Sequence, residues 1–380
     1  MSTIDLIYFN AGGGHRAAAL ALQAVIAQQR RPWTVRLVNL VDVLDPQALF
    51  RKVTGLAPED LYNKRLAKGW TLGLAQELKL LQGLIRLGHA AMRKRLARHW
   101  QATAPDLVVS LVPNFNRVLF ESLAQARPGV PYVTVMTDMA DHPPNFWIEP
   151  DQPQHIVCGT PMALAQARAA GHAEHRLHLC SGMILRPDFY DPLPLDRVAE
   201  RQRLGLPLDQ PVALVLFGGQ GSPVMSSIAR QLPETPLILL CGHNAALAAQ
   251  LRAQPAAAAR VVVGYTTEVR RYMALADVFI GKPGPGSLSE AVQQGLPVIT
   301  SRNAFTMPQE RYNVRWVREN GLGVVVSSFR QLAPALQSLL ADRPAFAARV
   351  AGMHNRAVFE VPEILADLLS CRTAAPALHR

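Results

Sequence analysis

Three times in this chain an apolar run ends in a glycine cluster, and that recurrence constrains the fold more than any other feature. Ile4-Asp5-Leu6-Ile7-Tyr8-Phe9 runs into Gly12-Gly13-Gly14, and then into Ala17 to Gln28, which is rich in strong helix formers. Val212 to Phe217 runs into Gly218-Gly219-Gln220-Gly221, and Val278 to Ile280 runs into Gly281-Lys282-Pro283-Gly284-Pro285-Gly286-Ser287. Short apolar runs also lie at Thr34 to Leu40, Leu107 to Leu111, Val130 to Met136, Leu237 to Leu240, Val261 to Val263 and Pro297 to Thr300. Short strands alternating with helical stretches predict an α/β fold, with parallel sheets covered by helices on both faces.

The chain of 380 residues is too long for one ordinary core, and the strand series restarts near residue 211. Between the two series, Pro187 to Pro194 carries three prolines in eight residues, which suits a linker. The expectation is two Rossmann-like domains, 1–185 and 190–355, followed by a tail, 356–380, whose helix at Pro362 to Leu369 packs back on the first domain. No apolar run approaches the roughly 20 residues that span a bilayer. Met1 to Phe9 lacks the basic flank and long apolar region of a signal peptide, so a cytoplasmic location is expected. Cys158, Cys180, Cys241 and Cys371 form no CxxC pair, and no histidine cluster has metal-ligand spacing. Reduced thiols, and no metal, are the expectation. The formal charge of +11 asks for an anionic partner, which nucleic acid, nucleotide phosphates or anionic lipid would satisfy. Aromatic-rich nucleic-acid signatures are absent, which speaks against nucleic acid.

In open parallel sheets, ligands bind beyond the carboxyl ends of the strands, where all three glycine loops fall. Glycine lets the backbone approach phosphate oxygens, and a helix N-terminus offers free N–H groups. Neither Gly12-Gly13-Gly14-His15 nor Gly218-Gly219-Gln220-Gly221-Ser222 is a GxGxxG followed by a ribose-binding acid, so a dinucleotide is disfavoured. In the third loop, Ser287 is placed to cap a helix beginning at Leu288. Glu290 then lies in its first turn, either accepting two ribose hydroxyls or closing a capping box with Ser287. Gln309, Glu310 and Asn313 open a helix after Pro308, as sugar-reading groups or as a solvated helix start.

Together these residues resemble the monogalactosyldiacylglycerol synthase family, which includes bacterial diacylglycerol glucosyltransferases. More distantly they are similar to the N-acetylglucosaminyltransferase of peptidoglycan synthesis. The motifs that carry the resemblance stand in order: Gly12-Gly13-Gly14-His15-Arg16, Thr137-Asp138 with His142-Pro143, Gly218-Gly219-Gln220-Gly221, Gly281 through Gly286 to Glu290-Ala291, and Gln309-Glu310 with Asn313. The resemblance implies a GT-B fold, two Rossmann domains facing a cleft, and inverting transfer from a UDP-sugar to a lipid acceptor with no metal and no cofactor. It implies that Glu290 binds the ribose, that Gln309, Glu310 and Asn313 meet the donor sugar, and that Gly264 and Tyr265 meet the uracil. Gly218, Gly219, Gly221, Gly284, Gly286 and Ser287 would surround the diphosphate, with Lys282 offsetting its charge or simply solvated. On the acceptor side stand Gly13, Gly14 and His142. Inversion needs a general base, for which His15 is the first candidate and Asp138 the second. His15 at a helix N-terminus also suits phosphate binding or a cap. Gln220 and Ser222-Pro223 depart from the acid and glycine frequent in relatives, and Gly182-Met183-Ile184 lacks a proline common there. These departures bear on the donor sugar.

Leu74, Leu78, Leu81, Ile85, Met92 and Leu96 recur at helical spacing beside Arg86, Arg93, Lys94, Arg95 and Arg98. A basic amphipathic helix of this kind suits an anionic membrane surface, here the inner face of the cytoplasmic membrane, or else packs as an ordinary core helix. Competing functional readings are transfer to a soluble or polyprenyl-linked acceptor, a UDP-sugar epimerase, and a binding protein that has lost catalysis.

Overall fold

The computed structural model describes residues 1–10, 14–47, 74–304 and 306–374, with backbone alone at 74–77, 79 and 372–374. The described residues form two compact units. One comprises 1–10, 14–47, 74–187 and 355–374, and the other 188–304 and 306–354.

In the first unit, β1 (Ser2–Tyr8), β2 (Trp33–Asn39), β3 (Leu107–Ser110), β4 (Tyr132–Val135), β5 (His155–Cys158) and β6 (Leu177–Leu179) form a parallel sheet in the order β2-β1-β3-β4-β5-β6. In the second, β7 (Ala213–Leu216), β8 (Leu237–Leu240), β9 (Arg260–Val263), β10 (Val278–Gly281), β11 (Val298–Ser301) and β12 (Gly323–Val326) form a parallel sheet in the order β12-β11-β10-β7-β8-β9. The central strands are buried along their whole length, as expected when helices cover both faces. Strand order reverses between β1 and β3 in one sheet and between β7 and β10 in the other. Such switch points are where open α/β sheets bind ligands.

At the amino edge of the second sheet, Asp277 is buried and gathers three arginines: Arg201 at 2.6 Å, Arg343 at 2.7 Å and Arg197 at 2.8 Å. It also accepts from Val212 N at 2.8 Å. Burial alone would raise the Asp277 pKa, but the Val212, Arg201 and Arg197 hydrogen bonds hold it below the ordinary value. This knot ties the helices Arg197–Arg203 and Arg343–Ala351 to the sheet, at the end away from the glycine loops.

Several elements differ from the sequence expectation. The strands β5, β6 and β12 were not expected; they are short and lie toward the sheet edges. The last helix runs Ala357–Ala374, so Pro362 lies inside it rather than at its start. It packs on the helix Gly14–Gln28 of the same unit. The stretch around Gly83 and Gly88 is one continuous helix, Leu74–Thr103, and among the described residues no helix is long and apolar enough to cross a membrane. Within it, Leu96 is buried and Leu78, Ile85 and Met92 are half-buried, with Leu78 and Met92 packed on hydrophobic clusters of the first unit. Most of the expected lipid-facing stripe is therefore the core-facing one. The side chain of Leu74 lies outside the described residues.

Candidate active site

At the first switch point, β1 feeds the helix Gly14–Gln28, which places Gly14 and His15 in its first turn; Gly13 lies outside the described residues. His15 Nδ1 is 3.0 Å from Thr137 Oγ1, just beyond β4, and the Leu111 backbone, just beyond β3, hydrogen-bonds the imidazole. The ring lies against Trp147, with centroids 5.9 Å apart and an interplanar angle of 51°. Trp147 is fully buried and donates its indole N–H to Asp138 Oδ2 at 2.9 Å. Desolvation pulls the His15 pKa down to about 4 against the opposing bond to Leu111, so the ring is neutral at neutral pH. His15 is half-buried.

Asp141 holds this arrangement together. Its carboxylate accepts from Trp147 N at 2.6 Å and Asn145 N at 2.9 Å, and its backbone carbonyl accepts from Gln166 Nε2 at 3.0 Å. Burial raises its pKa against those backbone bonds. From the other side, Asn116 Nδ2 donates to Trp147 O at 3.0 Å, and Tyr132 Oη donates to Asn116 Oδ1 at 2.8 Å. His142, half-buried, begins the loop that Asp141 pins. The sequence reading grouped His15, Asp138 and His142, but it missed Trp147, the ring that joins the first two. An aromatic four residues beyond His142-Pro143 was the available signal.

At the second switch point the loops after β7 and β10 lie side by side. Gly218 has φ +77°, which only glycine adopts readily, and a Cβ there would lie 3.7 Å from Lys282 Cε. Gly221 also has positive φ, and a Cβ on it would meet the Cys241 carbonyl at 2.7 Å. At Gly219, Gly264 and Gly286 a Cβ would meet nothing within 4 Å. Lys282 Nζ donates to Glu310 Oε1 at 2.8 Å. Glu310 is buried, and Asn313, also buried, donates to Pro283 O at 2.7 Å, tying the loop to the helix Arg311–Glu319. Gln309 is half-buried in the turn Pro308–Glu310.

The helix after β10 starts earlier than the sequence suggested. It runs Pro285–Gln293 with Gly284 as its N-cap and no side-chain cap, so Ser287 sits inside the first turn and Glu290 beyond it. A proline at the first helical position was the overlooked cue. Ser287 Oγ donates back to Gly284 O at 3.4 Å, so the capping-box role for Ser287 and Glu290 is set aside. Glu290 remains half-buried beside the loop.

Beyond β8 and β9, His243 and Tyr265 stack with centroids 4.0 Å apart and an interplanar angle of 17°, and Tyr265 is 62% exposed. His243 N donates to Gly219 O at 2.8 Å, which fixes this stack relative to the β7 loop. His243 was not singled out in the sequence. Among the described residues no group of three metal-ligating side chains forms.

The first unit also carries an apolar strip on the helix Leu74–Thr103. Leu80, Leu84 and Leu87 are 64%, 56% and 86% exposed, and Leu81 joins them. Arg86, Arg93, Lys94 and Arg98 are exposed on the same helix, whereas Arg95 donates to Leu44 O.

The family of glycosyltransferase family 28 C-terminal domains matches residues 212–361. The chain is 26% identical over 360 residues to a probable chloroplastic monogalactosyldiacylglycerol synthase of Glycine max, covering 86% of this chain and 63% of that one. It is 25% identical over 359 residues to monogalactosyldiacylglycerol synthase 1 of Arabidopsis thaliana, with the same coverages of 86% and 63%. It thus spans about 63% of the length of these relatives. Among solved structures, MurG of Acinetobacter baumannii superposes with a TM-score of 0.61 at 12% identity, covering 97% of this chain and 100% of that one. HepE of Anabaena in complex with UDP superposes with a TM-score of 0.57 at 14% identity, covering 98% and 100%. The fold is GT-B.

Proposed function

We propose that this chain, whose residues 212–361 match a glycosyltransferase family 28 C-terminal domain, is an inverting glycosyltransferase that moves a sugar from a UDP-sugar to a membrane lipid such as diacylglycerol. The observation that carries the reading is the pair of switch points. One holds a desolvated imidazole against the indole that donates to a buried carboxylate, and the other holds Lys282 against Gly218 and Gly284, with Gly219 and Gly286 open nearby. The similarity to monogalactosyldiacylglycerol synthases over 86% of the chain supports the lipid acceptor. The UDP-bound neighbour of the same fold supports the nucleotide.

In this reading the second unit holds the donor. Backbone N–H groups around Gly218, Gly219, Gly221, Gly284, Gly286 and Ser287 meet the diphosphate, Lys282 neutralises it, and Glu290 accepts the ribose hydroxyls. The uracil lies by Gly264 and Tyr265. Gln309 and Glu310 read the sugar, while Asn313, which is buried, acts by fixing Pro283.

The first unit holds the acceptor, near Gly13, Gly14 and His142. The reacting hydroxyl replaces Thr137 as the polar neighbour of His15 and gives up its proton to the imidazole. Its oxygen bonds the anomeric carbon, and the carbon–oxygen bond to the diphosphate breaks with its electron pair leaving on UDP. Asp138, linked through Trp147, stabilises the imidazolium or serves as the base itself. Leu80, Leu84 and Leu87, with Arg86, Arg93 and Lys94, seat this unit on an anionic leaflet, where each cation contributes about 1 kcal/mol.

Calorimetry with UDP, ADP and GDP tests the donor, and equal affinities would end the uridine assignment. Vesicle sedimentation tests the surface. Changing Leu80, Leu84 and Leu87 to serine should release the folded protein from anionic vesicles, and undiminished binding would move a soluble acceptor ahead.

A further inference from the structure

We propose that Glu310 is an internal anion that competes with the bound diphosphate for Lys282, loosening the grip on the nucleotide once the sugar has left. This rests on the reading of the second unit as a nucleotide-sugar site.

The ammonium of Lys282 and the carboxylate of Glu310 are 2.8 Å apart at the β7/β10 switch point, where an anion would be received. The two partners are unequal. The lysine side chain is 32% exposed and the glutamate only 5%. Added Cβ atoms show what surrounds the pair: one on Gly218 would lie 3.7 Å from Lys282 Cε, and one on Gly284 would lie 3.4 Å from that carbon and 3.6 Å from Glu310 Oε1. The pair thus lies against the two glycines that line the phosphate position.

Glu310 is anchored, because it closes the turn Pro308–Glu310 and its N–H donates to Met307 O at 2.9 Å. Asn313 fixes the facing loop through Pro283. Lysine, on a flexible four-carbon stem with three donors, is the partner free to turn.

A buried carboxylate needs a counter-charge or hydrogen-bond donors. With a nucleotide sugar bound, sugar hydroxyls supply donors to Glu310 and Lys282 can turn to the diphosphate. After transfer the hydroxyls depart with the product, and Glu310 again draws the ammonium. A nucleoside diphosphate is therefore held less tightly than the same phosphates would be beside an uncontested lysine.

The test is calorimetry on the full chain with two probes, UDP and inorganic pyrophosphate. It compares the parent with Glu310→Gln, Lys282→Met and the double variant, each shown to be folded by circular dichroism. Glu310→Gln should bind both probes roughly two- to fivefold more tightly, the range for a partly exposed ion pair. Lys282→Met should bind more weakly than the parent, and adding Glu310→Gln to it should give no tightening. If Glu310→Gln does not fold, Glu310→Asp, which withdraws the carboxylate by one methylene, should tighten binding in the same direction.

The proposal is overturned if Glu310→Gln weakens both probes or leaves them unchanged. Equal tightening in the Lys282→Met background would also overturn it, by showing a general charge effect. Binding of neither probe to the parent overturns it as well. If the parent binds pyrophosphate but not UDP, the uridine reading fails, and the pyrophosphate series alone decides the exchange.

Discussion

The two units share a parallel-sheet plan and use their switch points in opposite ways. In the first, the position is filled: Trp147 is fully buried between His15 and Asp138, and the imidazole is desolvated enough to stay neutral. In the second, the position is left open at Gly219 and Gly286, and Lys282 lies against Gly218. The buried aspartates of the two sheets differ in the same sense. Asp5 on β1 has Arg36 at 2.6 Å, yet burial raises its pKa. Asp277 has three arginines, which hold its pKa down. A dry environment suits proton transfer, and an open cationic loop suits an anion. In the proposed reading, the first unit takes the proton and the second holds the donor's phosphates.

The sharpest way to break this division is at its two centres. His15→Ala should lower turnover about 10²- to 10⁴-fold, the contribution of a general base, while calorimetric donor affinity stays at the parental value. Near-normal turnover would pass the role to Asp138. A loss of donor affinity would show that the units are not divided as described. Asp277→Asn should cost the second unit about 3–5 kcal/mol, because it leaves buried arginine charge without its partner. Hydrogen exchange read separately over the two units should show the loss in residues 188–354 alone.

Much of this plan was legible in the sequence, and the failures have physical causes. β3, β4, β7, β8 and β10 are buried on both faces, so their apolar runs announced them. β5 and β6 are short and carry His155 and His178, which broke the run. The helix Leu74–Thr103 has leucines on several faces near its start, so spacing allowed two stripes, and packing against the first unit decided which one was exposed. The glycine loops, Lys282 and Glu310 were readable as local motifs. Trp147 had a local signal four residues beyond His142-Pro143, but its contact with His15, far away in sequence, was legible only in the fold, as was the stacking of His243 on Tyr265.

A smaller effect separates ligand from cap. Glu290→Ala should weaken UDP by about 1.5–3 kcal/mol, the cost of losing a charged acceptor, with little change in helix stability because no cap is lost. Unchanged UDP affinity in the folded variant would remove Glu290 from the donor site.

The smallest effect is one of pH. In the first unit, desolvation lowers His15 and His155 to about 4 and also lowers His99, His172 and His178. Their stabilising contribution is fully present above the unfolded value near 6.5 and is lost as pH falls toward 4, since the unfolded chain then binds more protons. Asp5, Asp141 and Glu149 are raised by burial and act oppositely, gaining stability as pH falls through their folded values. In the second unit, Arg203 and Arg271 lower Glu200 to about 2, and Asp277 is also lowered, so those contributions persist until pH drops below the ordinary carboxylate range. Between pH 6.5 and 5 the first unit should therefore lose protection before the second in hydrogen exchange. The reverse order would contradict the electrostatic contrast.

The most direct measurement is transfer itself. Purified protein is incubated with UDP-glucose or UDP-galactose and anionic vesicles containing diacylglycerol, and the lipids are read by mass spectrometry and NMR beside a His15→Ala control. The expected product is a hexosyl-diacylglycerol with a β linkage formed from the α-linked donor, accompanied by UDP and nearly absent from the control. An epimerised UDP-sugar, an α-linked product, or lipid unchanged while UDP binds normally would contradict the proposed transfer.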